Sequence, residues 1–298
     1  MQTEFRVTSF VFLISIFDLC VPCVSVVRNF GVLLAMLSWF TLPRVPEPEV
    51  MDDSAEVEAY ASAAAQAYLD KIDDTFVEHA LRLVSGRTSG RALDIGTGPG
   101  QIVLKLARRP ALRDWHFIGV DRSTNMIKQA RASAVRRGTA ELEGRGGTCP
   151  EYSRGNPAVR GTPNSVEFFI ADGNRLPFPD ASFDLVMSNS VLHHLAEPQR
   201  MLAEITRLAK PGGAILIRDL RRPSRLAYPL HVRWYGRQYS GLMYRLYCAS
   251  VRSSYTLPEL EELLRQSPLR GASLGPVATV FTHRRTHLGI ERALHSSL

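Results

Sequence analysis

The chain has 298 residues, of which 45% are hydrophobic and 22% are charged. This balance is typical of a globular protein with a sizeable core, and it excludes a chain that is mainly disordered. The net charge is +7, but the sequence has no run of five like charges and no basic motif interleaved with aromatic residues. Composition therefore gives little support to a nucleic-acid-binding protein.

Residues 1–42 form an apolar extension that differs from the rest of the sequence. Asp18 interrupts the one stretch that approaches the length of a membrane-spanning helix. Three hypotheses stay open: a membrane anchor or uncleaved signal, an interfacial or packing helix, and, slightly favoured, an extension upstream of the true start. Cys20 and Cys23 have CxxC spacing without a second pair, so we predict no metal site.

The proline-rich stretch at residues 42–50 predicts an extended linker, and we place the boundary of the main domain (51–298) after it. Apolar residues then recur at intervals of three and four. This period predicts an amphipathic helix from about residue 52 to residue 84, with a break near residues 71–73.

Short strand and helix patterns alternate from there to the end of the chain. We predict strands at 92–95, 115–120, 166–170, 183–188 and 214–218, helices at 102–107, 123–136, 198–208 and 258–265, and the last strand or strands within 277–290. Repeated β–α units of this length predict an α/β fold, a doubly wound and mostly parallel sheet with helices on both faces.

Two segments depart from this alternation. Residues 138–164 are rich in glycine and arginine and lack an apolar period, which predicts a surface insertion. Residues 221–257 are unusually aromatic and basic, which favours a substrate lid. A helix that packs its aromatic side chains on the core is an equal alternative for the second segment.

A glycine-rich turn follows the first predicted strand. The strand ends in Asp94, and Gly96, Gly98 and Gly100 precede a helix. Such a turn lets a ligand lie against the backbone beside the free N–H groups of the helix. The spacing departs from the G-x-G-x-x-G of nicotinamide sites, because Gln101 stands where the third glycine would fall.

The second predicted strand also ends in an acid, Asp121. A carboxylate at this place in an α/β fold can accept hydrogen bonds from both hydroxyls of a ribose. It can equally cap the helix at 123–136, and the two roles do not exclude each other.

Four motifs in order give the sequence a family resemblance. They are LDIGTGPG, IGVDRSTNMIKQAR, FFIADGNRLPFPDASFDLVMSNSVLHHL and LAKPGGAILIRDL. The sequence resembles the class I S-adenosylmethionine-dependent methyltransferases, and most of all the small-molecule branch that includes the ubiquinone and menaquinone biosynthesis enzymes. The resemblance runs from about residue 94 to 210 and more loosely from 54 to 292. It implies a seven-stranded, Rossmann-like methyltransferase fold and S-adenosylmethionine as cofactor.

The resemblance also implies a set of cofactor contacts. Asp94 would orient the amino group of the methionine part, the three glycines would line that part and the ribose, and Asp121 would hold the ribose hydroxyls. The other implied contacts lie at the adenine (Met126, Asp172, Gly173) and near the reactive methyl group (Asn189, Ser190). Asp172 could instead serve only as a turn former ahead of Gly173.

The candidates for a catalytic base are His193 and His194, which follow Asn189 by one helical turn. The alternative for this pair is helix packing or carbonyl capping. Tyr60 and Tyr68 of the first helix, together with residues 221–257, would determine the acceptor.

The sequence as a whole predicts an S-adenosylmethionine-dependent methyltransferase that acts on a small-molecule acceptor. The alternatives are a non-catalytic module that binds the same cofactor, an RNA methyltransferase suggested only by charge, and a nicotinamide oxidoreductase disfavoured by Asp94 and Gln101. We expect a cytoplasmic protein, with membrane contact through residues 1–42 left open and no nucleic-acid partner.

Overall fold

The computed structural model describes residues 40–47, 53–61, 63–136, 165–270 and 277–293, with the side chains of 61–68 left aside. The insertion predicted at 138–164 and nearly all of the apolar extension lie outside the described residues. No helix within the described ranges is both long enough and apolar enough to cross a bilayer.

Seven strands form one sheet. They are β1 (Ser89–Ile95), β2 (Asp114–Asp121), β3 (Ser165–Ile170), β4 (Phe183–Asn189), β5 (Ala209–Leu220), β6 (Thr279–His283) and β7 (His287–Arg292). The order across the sheet is β3-β2-β1-β4-β5-β7-β6. The first five strands pair in parallel, and β7 runs antiparallel to both β5 and β6. The predicted doubly wound, mostly parallel sheet is confirmed.

Eight α-helices accompany the sheet in the described ranges. They are α1 (Ser54–Ala61), α2 (Ala63–Leu83), α3 (Gln101–Ala107), α4 (Thr124–Arg136), α5 (Pro198–Leu208), α6 (Tyr228–Tyr235), α7 (Gly241–Ser253) and α8 (Leu257–Arg265). The break predicted near residues 71–73 is wrong, because α2 runs through them without interruption. Ile72, Phe76 and Ala80 keep the apolar period there, and the polar residue Asp73 is itself buried.

The strands bury both of their faces, as expected when helices cover each side of a parallel sheet. Alternate residues of a strand point to opposite faces. On β4, Leu185 and Met187 join the cluster that contains Phe76 of α2, whereas Val186 joins the cluster that contains Leu202 of α5. The sheet is therefore the middle layer between two hydrophobic cores.

From β1 the chain adds strands first on one side of the sheet, as β2 and β3, and then on the other side, as β4 and β5. The carboxyl ends of β1, β2 and β4 lie at the same edge of the sheet, where open α/β folds leave a crevice for ligands. Asp94, Asp121 and Asn189 stand at or next to these ends.

The chain divides into two compact units, one formed by Pro43–Pro223 and Ala227–Leu298 and the other by Met1–Leu42 and Ser224–Leu226. In the smaller unit, the backbone N–H of Arg225 donates to the carbonyl of Phe40 at 2.9 Å. The larger unit contains the whole sheet.

The last residues of the proline-rich stretch pack onto the larger unit, to which they belong. The backbone N–H of Val45 donates to the carbonyl of Arg252 at 3.1 Å. The Arg44 guanidinium donates to the carbonyls of Ser253 and His193 at 2.6 and 3.0 Å. Residues 42–47 form neither helix nor strand, and these contacts hold them against the domain. The extended linker and the domain boundary stay predictions.

Candidate active site

A cavity opens at the carboxyl ends of β1, β2 and β4. Its walls also include residues of α1 and α2 and of the loops after β3 and β4. Nine of the ten residues predicted to bind the cofactor line it, namely Asp94, Gly96, Gly98, Asp121, Met126, Asp172, Gly173, Asn189 and Ser190. We call the part formed by Asp94, Gly96, Gly98 and Asp121 the loop end, and the part formed by Asn189, Ser190 and His194 the histidine end.

Asp94 is a buried carboxyl group without a hydrogen-bond partner. Its residue is 1% exposed, and neither carboxylate oxygen makes a hydrogen bond to any described residue. Burial raises the pKa of Asp94 to about 7, and the nearby charges of Asp121 and Asp73 act in the same direction. The Thr97 hydroxyl opposes this pKa shift, although its oxygen lies outside hydrogen-bond geometry. An orphaned acid facing a cavity is suited to a ligand that brings a positive charge.

The glycine turn leaves room for a ligand at one position and none at another. A Cβ atom on Gly98, where φ is +53°, would meet no atom within 4 Å. A Cβ on Gly96 would lie 2.3 Å from a methyl carbon of Val191, which belongs to the loop after β4. Gly98 therefore faces open space in the cavity, whereas Gly96 is needed for the close approach of two loops.

Gly100 does not line the cavity. It has a φ of +77° and precedes α3 as its N-terminal cap. A Cβ on it would lie 2.7 Å from the ring of Phe168 and 3.1 Å from Ala130. The contacts of Gly100 in the structure are thus with packed side chains of β3 and α4.

Asp121 joins the glycine turn to the start of α4. One of its carboxylate oxygens accepts from the backbone N–H of Gly98 at 2.8 Å, and the other accepts from the N–H of Ser123 at 2.9 Å. The N-terminal cap of α4 is Ser123, whose hydroxyl accepts from the N–H of Met126 at 3.2 Å. Asp121 forms a turn ahead of the helix, so the capping role considered for it is wrong. Because Asp121 also lines the cavity, the ribose role stays compatible with it.

Asp172 lies at the surface of the cavity and forms a local turn. Its carboxylate accepts from both the backbone N–H and the side-chain amide of Asn174, at 2.9 and 3.0 Å. The side chain of Ile95 leaves no room for a larger residue at position 173, since a Cβ on Gly173 would lie 2.6 Å from it. Met126, 6% exposed, closes the cavity from α4.

The histidine end is held from behind by a buried arginine. Nε of Arg218 donates to Oδ1 of Asn189 at 2.9 Å, and Nη1 donates to the Thr75 hydroxyl at 2.8 Å. Ser190 has a φ of +58°, a strained value for a non-glycine residue, and its N–H donates to the carbonyl of Arg218 at 2.8 Å. Burial lowers the pKa of Arg218 to about 10, although Asp73 and Asp219 oppose the shift.

The two histidines occupy different places. His194 lines the cavity, whereas His193 is 2% exposed and does not line it. Nδ1 of His193 lies 2.5 Å from Oδ1 of Asp219, a buried acid at the end of β5. Burial alone would lower the pKa of His193, but the charge and hydrogen bond of Asp219 prevail and raise it.

Sequence reasoning missed several residues of this site. Asp73 of α2 lines the cavity, and burial raises its pKa to about 7 against the charges of Arg218 and Lys105. Arg218 and Asp219 had a visible signal, because two adjacent charges end an otherwise apolar strand. Asp73 had none, since it stands among other polar residues of a helix.

The segment predicted as a lid does not reach the cavity in the described structure. Residues 228–235 and 241–253 are helical, as α6 and α7, and no described residue between 221 and 257 lines the cavity. The lid and its role in choosing an acceptor stay predictions. Tyr60 does line the cavity.

The residues present fit S-adenosylmethionine, which carries an ammonium group, a sulfonium and a ribose. The orphaned carboxyl group of Asp94 suits the ammonium, the open space beside Gly98 admits the cofactor against the backbone, and Asp121 has oxygens at the cavity wall. With Asp73 and Asp172, the described lining of the cavity has four carboxyl groups and one guanidinium, that of Arg122, and this excess of acids favours a cationic ligand over a pyrophosphate.

Comparisons with known proteins agree with this fit. The methyltransferase-domain family model matches residues 93–217. An uncharacterized methyltransferase of Schizosaccharomyces pombe is 27% identical over 168 residues, which cover 56% of this chain and 52% of that protein. The demethylmenaquinone methyltransferase of Tropheryma whipplei is 26% identical over 222 residues, 72% of each chain. The chain thus spans only about half of the length of the first of these relatives.

A solved structure shares the fold. The plantazolicin methyltransferase BpumL, in complex with a triazolic desmethyl analogue and SAH, is 15% identical and has a TM-score of 0.53. The alignment covers 81% of this chain and 89% of that one.

The segment matched by the family model begins in β1 and ends in β5, so it contains both ends of the cavity. The lining residues of α1 and α2 lie outside the matched segment, as do Arg218 and Asp219 behind the histidine end. Family match, sheet order and cavity chemistry all agree with the resemblance found in the sequence. Over residues 93–217 the chain matches the methyltransferase-domain family, and it is similar to demethylmenaquinone methyltransferases and to the ubiquinone and menaquinone biosynthesis methyltransferases.

Proposed function

We propose that this protein transfers the methyl group of S-adenosylmethionine to a small-molecule acceptor. The observation that carries the proposal is the Asp94 carboxyl group, which is buried, unpartnered and directed at a cavity beside the open face of Gly98. A buried carboxyl group in this state is costly for the folded protein unless a cation compensates it.

Each cofactor-binding residue has a distinct task in this proposal. Asp94 holds the amino group, Asp121 accepts from the ribose hydroxyls, and Gly98 gives the cofactor access to the backbone. Met126, Asp172 and Gly173 border the adenine, while Asn189 and Ser190 border the methyl group. The hydrogen bonds that fix Asp121 and Asn189 from behind support these tasks, because they keep both side chains in place before the ligand arrives.

The cofactor supplies an activated methyl group on its sulfonium when it is bound. The task left to the protein is to align an acceptor atom with that group and to exclude water. Of the two histidines predicted as a base, only His194 is placed to contact an acceptor, since His193 lies behind the cavity wall. His193 is a positioning residue in this proposal.

The acceptor class is proposed from the relatives. The name of the Tropheryma whipplei protein says that it methylates demethylmenaquinone, and BpumL carries an analogue of desmethylplantazolicin in its solved structure. Both are small molecules, so quinones and heteroaromatic compounds are the first acceptors to test. The location stays a prediction too: a cytoplasmic protein, with membrane contact through residues 1–42 left open.

Two measurements test the proposal. Isothermal titration calorimetry should show that S-adenosylmethionine binds and that NADH does not. Incubation with labelled S-adenosylmethionine and a pool of quinones and other metabolites should then give a methylated product in the presence of ribonuclease. Cofactor binding without any product would favour the non-catalytic module, and ribonuclease-sensitive activity would favour an RNA substrate.

A further inference from the structure

Three potential metal ligands meet beside the histidine end of the cavity. Oε2 of Glu47 lies 3.7 Å from Nε2 of His193 and 3.4 Å from Nδ1 of His194. One ligand atom of each of the three residues lies within 4.8 Å of the others. Glu47 comes from the proline-rich stretch, and the two histidines come from the turn after β4. The two histidines are neighbours in the sequence, and the fold brings Glu47 to them.

His193 is prepared to act as a ligand through Nε2. Its Nδ1 is held by Oδ1 of Asp219 at 2.5 Å, and Asp219 also accepts from the backbone N–H groups of His193 and Leu220 at 2.9 and 2.6 Å. The contact with Asp219 places a proton on Nδ1 of His193, which leaves Nε2 as the ring nitrogen that could bind a metal ion. A carboxylate behind a histidine is the usual support of a metal-bound imidazole.

Nε2 of His193 is buried and has no hydrogen bond among the described residues. The side chain is 2% exposed. A buried polar atom of this kind calls for an unseen partner. The carboxylate of Glu47, 10% exposed, lies on the same side, where it accepts from the hydroxyls of Ser250 and Ser253 at 3.2 Å each.

The separations fit a shared ion better than a direct ion pair. Charge-assisted hydrogen bonds between nitrogen and a carboxylate measure about 2.7–2.9 Å. Two ligands bound tetrahedrally to one zinc ion at about 2.1 Å lie about 3.4 Å from each other. The two distances to Glu47, 3.4 and 3.7 Å, are close to the second geometry, and the ligand nitrogens of the two histidines lie within 4.8 Å of each other.

We propose that Glu47, His193 and His194 bind a divalent transition-metal ion such as zinc, with Asp219 as the residue that orients His193. Two imidazoles and one carboxylate suit zinc, manganese and iron(II). Three protein ligands would leave a coordination position for water or for an acceptor oxygen, and one of the ligands, His194, lines the cavity. Metal binding here goes beyond methyl transfer and does not depend on it.

The test uses the untagged full chain after removal of metals with EDTA. Titration with zinc chloride in a calorimeter, and metal analysis after dialysis, should show one zinc ion per chain. Glu47→Gln and His194→Ala should each weaken the affinity at least tenfold. Cobalt(II) in place of zinc should give a visible absorption band that His194→Ala removes, which reports ligation without any activity assay.

Matched controls separate this site from other zinc-binding groups. His79→Ala removes a histidine that also pairs with a glutamate, Glu291, at 2.6 Å, and it should leave zinc binding unchanged. Replacing Cys20 and Cys23 by serine should also have no effect. Circular dichroism checks that Glu47→Gln and His194→Ala are folded.

Two results would overturn the proposal. One is the absence of stoichiometric zinc or cobalt binding by the parent chain. The other is equal binding by the parent and by folded Glu47→Gln and His194→Ala variants, which would place the ion elsewhere. In either case Glu47, His193 and His194 would bind no metal ion, and their contacts would serve only to hold the proline-rich stretch against the domain.

Discussion

The two ends of the cavity are built in different ways. The loop end comes from one continuous β–α–β unit, in which Asp94, the glycines and Asp121 follow one another within a short stretch of chain. The histidine end draws its supports from segments that are far apart, with Arg218 and Asp219 behind Asn189 and the histidines, and Glu47 in front. Local contacts of the first kind repeat in a recognisable motif, whereas long-range contacts of the second kind leave little trace in a sequence.

The largest effect is expected from Gly98→Val, which should affect the loop end alone. A Cβ at Gly98 meets no protein atom within 4 Å, so the side chain fits the folded chain but fills space proposed for the cofactor. We expect calorimetry to show a loss of S-adenosylmethionine affinity of about 100-fold or more, equivalent to about 2.7 kcal/mol. Zinc affinity should stay at the parent value.

The control for this variant is Gly241→Val. Gly241 has a φ of +55°, close to the +53° of Gly98, and a Cβ on it would also meet nothing within 4 Å. Both variants bear the same left-handed backbone cost of about 1–2 kcal/mol. Parent-like cofactor affinity in Gly98→Val, or an equal loss in both variants, would contradict the assignment of the loop end.

Asp121→Ala should come next in size. The loss of charge-assisted hydrogen bonds to the ribose is expected to weaken cofactor binding by about 1.5–3 kcal/mol, roughly 10- to 150-fold. Asp121→Asn keeps one oxygen for a backbone N–H of Gly98 or Ser123 and should lose less. If calorimetry finds that the alanine variant binds the cofactor as tightly as the parent, Asp121 serves only to join the glycine turn to Ser123.

Cofactor affinity should also depend on pH through Asp94. Burial raises its pKa to about 7, so the carboxyl group is mostly neutral at pH 6 and mostly ionised at pH 7.5. Because the ammonium group binds the ionised form, calorimetry should show affinity rising by up to about tenfold over this interval. Asp94→Asn should bind weakly and without this rise; an equal rise in that variant would assign the titration to another group.

The same shift has the opposite sign for the free protein. A carboxyl group whose folded pKa lies above its ordinary value of 3.8 costs stability as pH rises from about 4 to 7, because the unfolded chain ionises first. Asp73, with its pKa also near 7, acts in the same direction. Between pH 6 and pH 7.5, the change in the thermal midpoint should therefore be less favourable for the free protein than for the cofactor complex.

The sequence predicted the sheet, the glycine turn and the acids at the strand ends, because each depends on neighbours within a few residues. It misplaced the break in α2, since the buried Asp73 looks like any polar residue of a helix until Arg218 is placed near it. It also treated residues 42–50 as a linker only. Nothing near Glu47 in the chain indicates that its carboxylate ends beside His194.

The smallest effect is expected from a change at Asp172. Its size distinguishes the two roles that the sequence left open, adenine binding and turn formation. Asp172→Ala should weaken cofactor binding by about 1 kcal/mol, close to fivefold, if one neutral-donor hydrogen bond to the adenine is lost. Asn174→Ala removes the side-chain amide that donates to this carboxylate at 3.0 Å, but it keeps the backbone N–H that donates at 2.9 Å and the carboxylate itself. Parent-like affinity in Asn174→Ala, beside a loss in Asp172→Ala, would assign Asp172 to the adenine. Equal losses measured by calorimetry would mean that Asp172 acts through its contact with the Asn174 side chain and not through the adenine.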